Sequence, residues 1–176
     1  VNLLNPDPYA TFPGAPGPAG VPTLSNGQSA AGYVADQIKL NKYFEIMGGL
    51  RFERFRATSG AAPNIFNRTD DMLSWRIGGI FHPTENTSLY VMRGTSFNPS
   101  AEFVSFSGRT VPQQASIAGL SPEKNVTTEV GAKAEVLGGK LNLAAALFRT
   151  DKTNARVQDP NDPTGAYVLS GLTRVQ

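Results

Sequence analysis

The residues able to do chemistry are few and scattered. The single histidine, His82, stands before Pro83, where it reads as a turn residue, and with no second histidine neither a His-cluster metal site nor a conventional catalytic triad can be built. Cysteine is absent, which removes disulfides, thiolate nucleophiles and thiolate metal ligands. The glycine pairs Gly48-Gly49, Gly78-Gly79 and Gly138-Gly139 lack the strand–GxGxxG–helix setting of a phosphate-binding loop. Glu123, Glu129 and Glu135 suggest a carboxylate cluster. However, only Glu129 and Glu135 fall within the predicted strand, on one face, and six residues along a strand is too far for a shared metal. No acid–base set converges, so the chain is not expected to be an enzyme. What remains is cation–aromatic chemistry in the longer connections: Arg109 with Phe103 and Phe106, and more weakly Arg68 and Arg156. Arginine and aromatic groups suit a ligand that is both anionic and aromatic.

The elements that must position these groups are strands. Seven apolar segments are predicted: Ser29–Leu40, Tyr43–Phe55, Asp71–Phe81, Ser88–Phe97, Lys124–Leu137, Lys140–Asp151 and Ala166–Val175. Several alternate with a period of two. Phe44, Ile46, Gly48, Leu50 and Phe52 share one face, and Glu45, Met47, Gly49, Arg51 and Glu53 the other. Leu73, Trp75, Ile77, Gly79 and Phe81 oppose Ser74, Arg76 and Gly78. A Gly138-Gly139 turn predicts a tight hairpin with Val136 opposite Leu141, Ala134 opposite Leu143, Ala132 opposite Ala145 and Val130 opposite Leu147. The first segment is less regular, because Asp36 shares parity with Val34, Ile38 and Leu40, and a bulge would be needed to remove it from that face.

Connections are expected to alternate between short and long. Asn41-Lys42, "HPTENT" and Gly138-Gly139 are short, while 56–70, 98–123 and 152–165 are long. Transmembrane barrels carry short turns on one rim and extended loops on the other. Crossing a bilayer at roughly 45° takes about 9 to 11 residues per strand, a length that several segments reach. Arg149 and Arg54 fall on apolar-parity positions near the long-loop rim, where they can snorkel to water. Phe44, Phe81 and Tyr43 at one end, and Phe52, Phe55 and Phe97 at the other, suit two aromatic girdles. The inward set Glu45, Arg51, Glu53, Arg76, Glu129, Lys133 and Glu135 would line a polar interior.

Formal charge is only +2, from 16 basic and 14 acidic residues, and no basic block stands out, so nucleic acid is not implied as a partner. No run of 18 apolar residues occurs, which excludes a membrane-spanning helix within the chain but says nothing against strands. The expected fold class is therefore all-β: a partial antiparallel transmembrane barrel of about seven strands over residues 29–176, led by a turn-rich segment over 1–28. A soluble β-sandwich binding module is the alternative architecture.

Three stretches carry a family resemblance: "GYVADQIKLNKYFEIMGGLRFERF", "WRIGGIFHPTENTSLYVMRGTSFNPSAE" and "LSPEKNVTTEVGAKAEVLGGKLNLAAALFRTDKTNARV". They resemble, in family order, barrel hairpins of TonB-dependent receptors, above all the ferric-siderophore subfamily with a lean towards catecholates. The resemblance covers about Ser29 to Gln176. It implies a 22-stranded barrel in the outer membrane of a Gram-negative bacterium, with an N-terminal plug that this chain lacks. It also implies outer-membrane lipid and, through that plug, TonB as partners. A ferric siderophore would be the transported ligand, with no intrinsic cofactor and no metal site. Cobalamin or haem is the alternative cargo. Asp36, Gln37, Trp75, Glu123, Glu129 and Lys133 read as scaffold positions of the family's motifs. Alone, the piece is expected to be inactive.

Overall fold

A computed structural model describes residues 23–105 and 110–175. In chain order the elements are β1 (Leu24–Lys39), β2 (Phe44–Ala61), β3 (Asn64–Thr84), β4 (Thr87–Asn98), α1 (Ser100–Val104), α2 (Val111–Gly119), β5 (Glu123–Val136), β6 (Leu141–Thr153), β7 (Ala155–Gln158), β8 (Tyr167–Ser170) and β9 (Thr173–Val175). Seven strands form one antiparallel sheet in the order β1-β2-β3-β4-β5-β6-β9, and β7 and β8 form a separate hairpin.

Register follows the hydrophobic pattern. The β5–β6 pairing places Val136 opposite Leu141, Ala134 opposite Leu143, Ala132 opposite Ala145 and Val130 opposite Leu147, as the alternation predicts. The turn between them is wider than two residues. Leu137, Gly138 and Gly139 all take positive φ, at 54°, 63° and 85°, so the paired glycines relieve two of three left-handed positions. The β1–β2 ladder runs unbroken from Leu24↔Gly60 to Lys39↔Glu45. No bulge rescues Asp36, which stays on the face of Val34 and Ile38.

That face is an apolar band. Ile38, Ile46, Gly79, Val91, Val130 and Leu147 lie in one row across six strands. Its large side chains are uncovered: Ile46 is 44% exposed, Ile77 61% and Leu147 77%. Phe44 and Phe81 stack at its turn-side edge with ring centroids 4.9 Å apart. The opposite face is polar and self-paired. Arg51 Nη2 lies 2.8 Å from Glu53 Oε2, and Ser29 Oγ donates to Glu53 at 2.8 Å. Tyr90 Oη donates to Glu129 at 2.5 Å. Glu45 gathers Gln37, Lys39 and His82, the last with Nε2 at 3.2 Å. The polar face thus holds many of the charges that hydrocarbon would penalise.

The two rims differ as expected in kind, though not in every detail. Short turns at 40–43, 85–86 and 137–140 lie at one end. At the other end, residues 56–70 are not a loop: β2 and β3 stay paired up to Ala61↔Asn64, so the connection is a tall hairpin. Its polar composition hid this, because strands outside a membrane have no need of an apolar outer row. β1 pairs with the same extension and begins at Leu24, within the stretch read as turn-rich; residues 1–22 lie outside the described residues. The seventh segment is not one strand. Gly171-Leu172 breaks it into β8, which folds back on β7, and the short β9, which alone joins the main sheet. Phe55 also departs from expectation, since its ring turns to the polar side and packs under α1 and α2 rather than joining a girdle.

Candidate functional site at the loop-side rim

The dry core of the described residues lies at the long-loop rim. Ala57, Met72, Ala101, Val104 and Ile117 are its buried apolar side chains. Four of them form one cluster, Ala57, Ala101, Val104 and Ile117, with Phe55, Phe66, Phe103, Ala118 and Tyr167 packed around it. Phe55 and Ala57 belong to the polar-face parity of β2, so α1, α2 and β8 sit over that face of the tall hairpin. No second sheet covers the apolar face among the described residues, which sets the molecule apart from a β-sandwich.

Two arginine–carboxylate clamps hold this cap. In the first, Arg68 Nε donates to Asp70 Oδ1 at 2.7 Å, and Nη1 donates to the Ala118 carbonyl at the end of α2 at 2.6 Å. Asp70 is 2% exposed, and its Oδ2 accepts the Ala101 N–H at 2.7 Å. A single buried ion pair thereby ties the first turn of α1 and the last turn of α2 to β3. In the second, the Arg156 guanidinium lies 4.1 Å from the Phe103 ring centroid. Its Nη1 donates to the Pro99 carbonyl at 3.3 Å and to Ser100 Oγ at 3.2 Å, while Nη2 lies 3.4 Å from Glu123 Oε2. Glu123 also accepts from the Arg156 N–H at 3.0 Å and from Asn98 Nδ2 at 3.0 Å. Between the clamps, Gln114 Nε2 donates to the buried Ser59 Oγ at 3.2 Å.

Three of the five ligand-binding candidates thus meet around α1. Arg68, Arg156 and Phe103 are engaged within the protein, and the Arg156 side chain is 1% exposed. Arg109 and Phe106 follow α1 in the chain and lie outside the described residues. The scaffold positions spread along the sheet. Asp36 Oδ1 accepts the Gln37 N–H at 2.8 Å, and the Trp75 N–H donates to Thr95 Oγ1 at 3.1 Å where β3 and β4 part. Lys133 Nζ lies 5.7 Å from the Tyr90 ring centroid, beside the Tyr90–Glu129 bond. Inspection of the sequence misses Asp70, the pivot of the first clamp. The Arg68-x-Asp70 spacing, which puts both on one face of a strand, was its one available signal. Among the described residues no group of three or more His, Cys, Asp or Glu residues is placed to hold a metal.

A single sheet, apolar and uncovered on one face, polar on the other, short turns below and a packed cap above, defines a stretch of transmembrane barrel wall. The family model "TonB dependent receptor-like, beta-barrel" matches residues 2–175, and the chain belongs to that family. Its members are transport receptors of the Gram-negative outer membrane, not enzymes, and that membrane is where this wall resides. The chain is 34% identical over 154 residues to the probable TonB-dependent siderophore receptor PiuA of Acinetobacter baumannii, covering 84% of this chain and 20% of that protein. It is 27% identical over 205 residues to the catecholate siderophore receptor Fiu of Escherichia coli K12, covering 100% of this chain and 26% of that one. The crystal structure of PiuA superposes with a TM-score of 0.69 at 28% identity, over 85% of this chain and 22% of that one. The chain thus spans about a quarter or less of the length of these relatives.

Proposed function

We propose that the protein carrying this chain binds ferric siderophores at the outer surface and imports them with energy transmitted by TonB. Residues 29–176 would supply about a third of the wall of a closed 22-stranded barrel, and residues 1–28 would lead into it. The plug and the TonB-contacting segment would come from sequence beyond these 176 residues. The observation that carries this reading is the clamped cap on the loop-side rim, set on a barrel wall whose relatives are named as siderophore receptors. A mouth that must discriminate a ligand needs loops held in place, and buried arginine–carboxylate pairs hold these.

The catecholate preference rests on the likeness to the catecholate siderophore receptor Fiu and on the residue types between α1 and α2. Arg109 and Phe106 are proposed as ligand contacts there. Arg68, Phe103 and Arg156 are proposed to hold α1 and α2 at the rim, and Asp36, Gln37, Trp75, Glu123, Glu129 and Lys133 to serve as scaffold. The 176-residue piece by itself is proposed to be inactive, since among the described residues β1 and β9 each pair on one side only.

The test is uptake of radiolabelled iron as a ferric catecholate by iron-starved cells whose only receptor is the intact protein. Arg109→Ala with Phe106→Ala should raise the concentration needed for half-maximal uptake by about tenfold or more. Uptake of cobalamin or haem in place of the catecholate would overturn the reading, as would transport by the isolated piece in liposomes.

A further inference from the structure

Besides Asp36 and the paired Arg54 and Asp71, the apolar face carries a basic interruption. Arg93, Thr128 and Arg149 lie in a single hydrogen-bonded row, Arg93↔Thr128 and Thr128↔Arg149. Arg93 stands near the middle of β4, on the side of Leu89 and Val91, which are 43% and 51% exposed. Among the described residues no carboxylate pairs with it. The acid in the same row, Asp36, is three strands away, about 14 Å at ordinary strand spacing. Arg149 does have an acidic neighbour, Asp151, with Nη2 at 3.2 Å from Oδ2. Asp151 is shared, however, because Arg174 Nε lies 2.7 Å from its Oδ1. The local balance of these four side chains is positive.

The geometry suits one kind of occupant. The two arginine backbones are two strand spacings apart, about 10 Å, which the reach of two long side chains closes over a single tetrahedral anion. The Thr128 hydroxyl stands between them as a further donor. A shallow groove of about 550 Å³ runs here, with Val126, Val130 and Leu147 as its apolar wall. Below it the row of Val91, Val130 and Leu147 continues the band that meets hydrocarbon. A free anion would have to shed its water to enter such a place. A lipid brings its anionic group and its chains together.

We propose that Arg93, Thr128 and Arg149 bind the phosphate group of an anionic membrane lipid whose acyl chains lie over Val130 and Leu147. This rests on the membrane location of the wall and not on the siderophore reading, and a receptor for another cargo would give the same result.

The test uses the intact protein in phosphatidylcholine nanodiscs. Native mass spectrometry reads retention of dioleoyl phosphatidic acid against dioleoylglycerol, which has the same chains and no phosphate. The wild type should retain phosphatidic acid and release dioleoylglycerol. Arg93→Gln with Arg149→Gln should weaken phosphatidic acid retention by about tenfold or more, whereas Arg93→Lys with Arg149→Lys should keep most of it. Arg54→Gln, on the same face but already paired with Asp71, should change nothing. Should the double glutamine variant fail to insert, Arg93→Gln alone is expected to show the loss in part. Undiminished retention by the glutamine variants overturns the proposal, and so does equal retention of dioleoylglycerol. Displacement of the lipid by inorganic phosphate at equal concentration would also overturn it, by showing a site for free anion.

Discussion

Strand β2 passes through two solvents, and its two halves obey opposite rules. From Phe44 to Phe52 the even-numbered side chains are apolar and point away from the polar face, with Ile46 at 44% and Leu50 at 52% exposed. From Arg54 onward the even positions become Arg54, Arg56 and Thr58, and the apolar residues move to odd positions. Phe55 and Ala57 then pack inward under α1 and α2. β3 does the same: Leu73 and Ile77 face out below, while Phe66 and Met72 turn in above. No bulge separates the halves, for the β2–β3 register is continuous from Phe44↔Phe81 to Ala61↔Asn64. Nothing in the backbone changes. Only the medium outside does, from hydrocarbon to water, and the apolar residues follow whichever side is dry.

If that contrast is right, breaking the upper region should depend on buried pairing and breaking the lower one on contact with lipid. The largest effect is expected at Asp70. Asp70→Ala leaves the half-buried Arg68 without its carboxylate and the buried Ala101 N–H without its acceptor, at a cost of about 3 kcal/mol confined to the cap. Hydrogen exchange in α1 and α2 of the intact protein should accelerate, with the membrane band unaffected.

Next comes Ile46→Arg, in the uncharged row of Ile38, Gly79 and Val91, which should cost about 2–4 kcal/mol in lipid. Thr69→Arg, on the same face of the neighbouring strand β3 but beside the cap, should shift stability by no more than about 0.5 kcal/mol. Equal effects at the two sites, read by denaturant unfolding in bilayers, would dissolve the comparison. Spin labels at Ile46, Trp75 and Leu143 sharpen it further. All three should report lipid contact, and a label at Ala57 should not.

A smaller effect is expected on the polar face. The Tyr90 ring lies where a side chain at residue 131 would begin, only 2.5 Å from that position, so Gly131→Ala must push the ring off its bond to Glu129. A cost of about 1–3 kcal/mol follows from such overpacking, and Tyr90→Ala with Gly131→Ala should be less than additive. The smallest effect belongs to the β7–β8 loop. Hydrogen bonds from the Thr164 hydroxyl and N–H hold the Asp162 carboxyl below its ordinary value of 3.8. Stability from this pairing is fully present above that pH and lost as pH falls below it. Amide exchange at Thr164 should rise there, with no change near neutrality.

Much of the membrane band was legible in the sequence by itself. Alternation of large apolar with polar side chains set the faces of β2, β3, β5 and β6, because a period of two leaves one register that keeps charges from lipid. Glycines at 138 and 139 fixed where β5 reverses. The cap was not legible. Its strands are polar outside and form a core from only a few apolar residues inward, so 56–70 read as loop and Phe55 as a girdle aromatic. Arg68 and Arg156 stood out by type, but nothing local showed that Asp70 and Glu123 would meet them, nor that Phe103 would lie under Arg156. Those partners come together only when α1 folds onto β3, and long-range pairing of that kind leaves no period in the chain. Alternation along the chain sets which side chains face hydrocarbon, since that depends on neighbours two residues away. Tertiary structure alone decided which charges are buried, since that depends on what packs across from them.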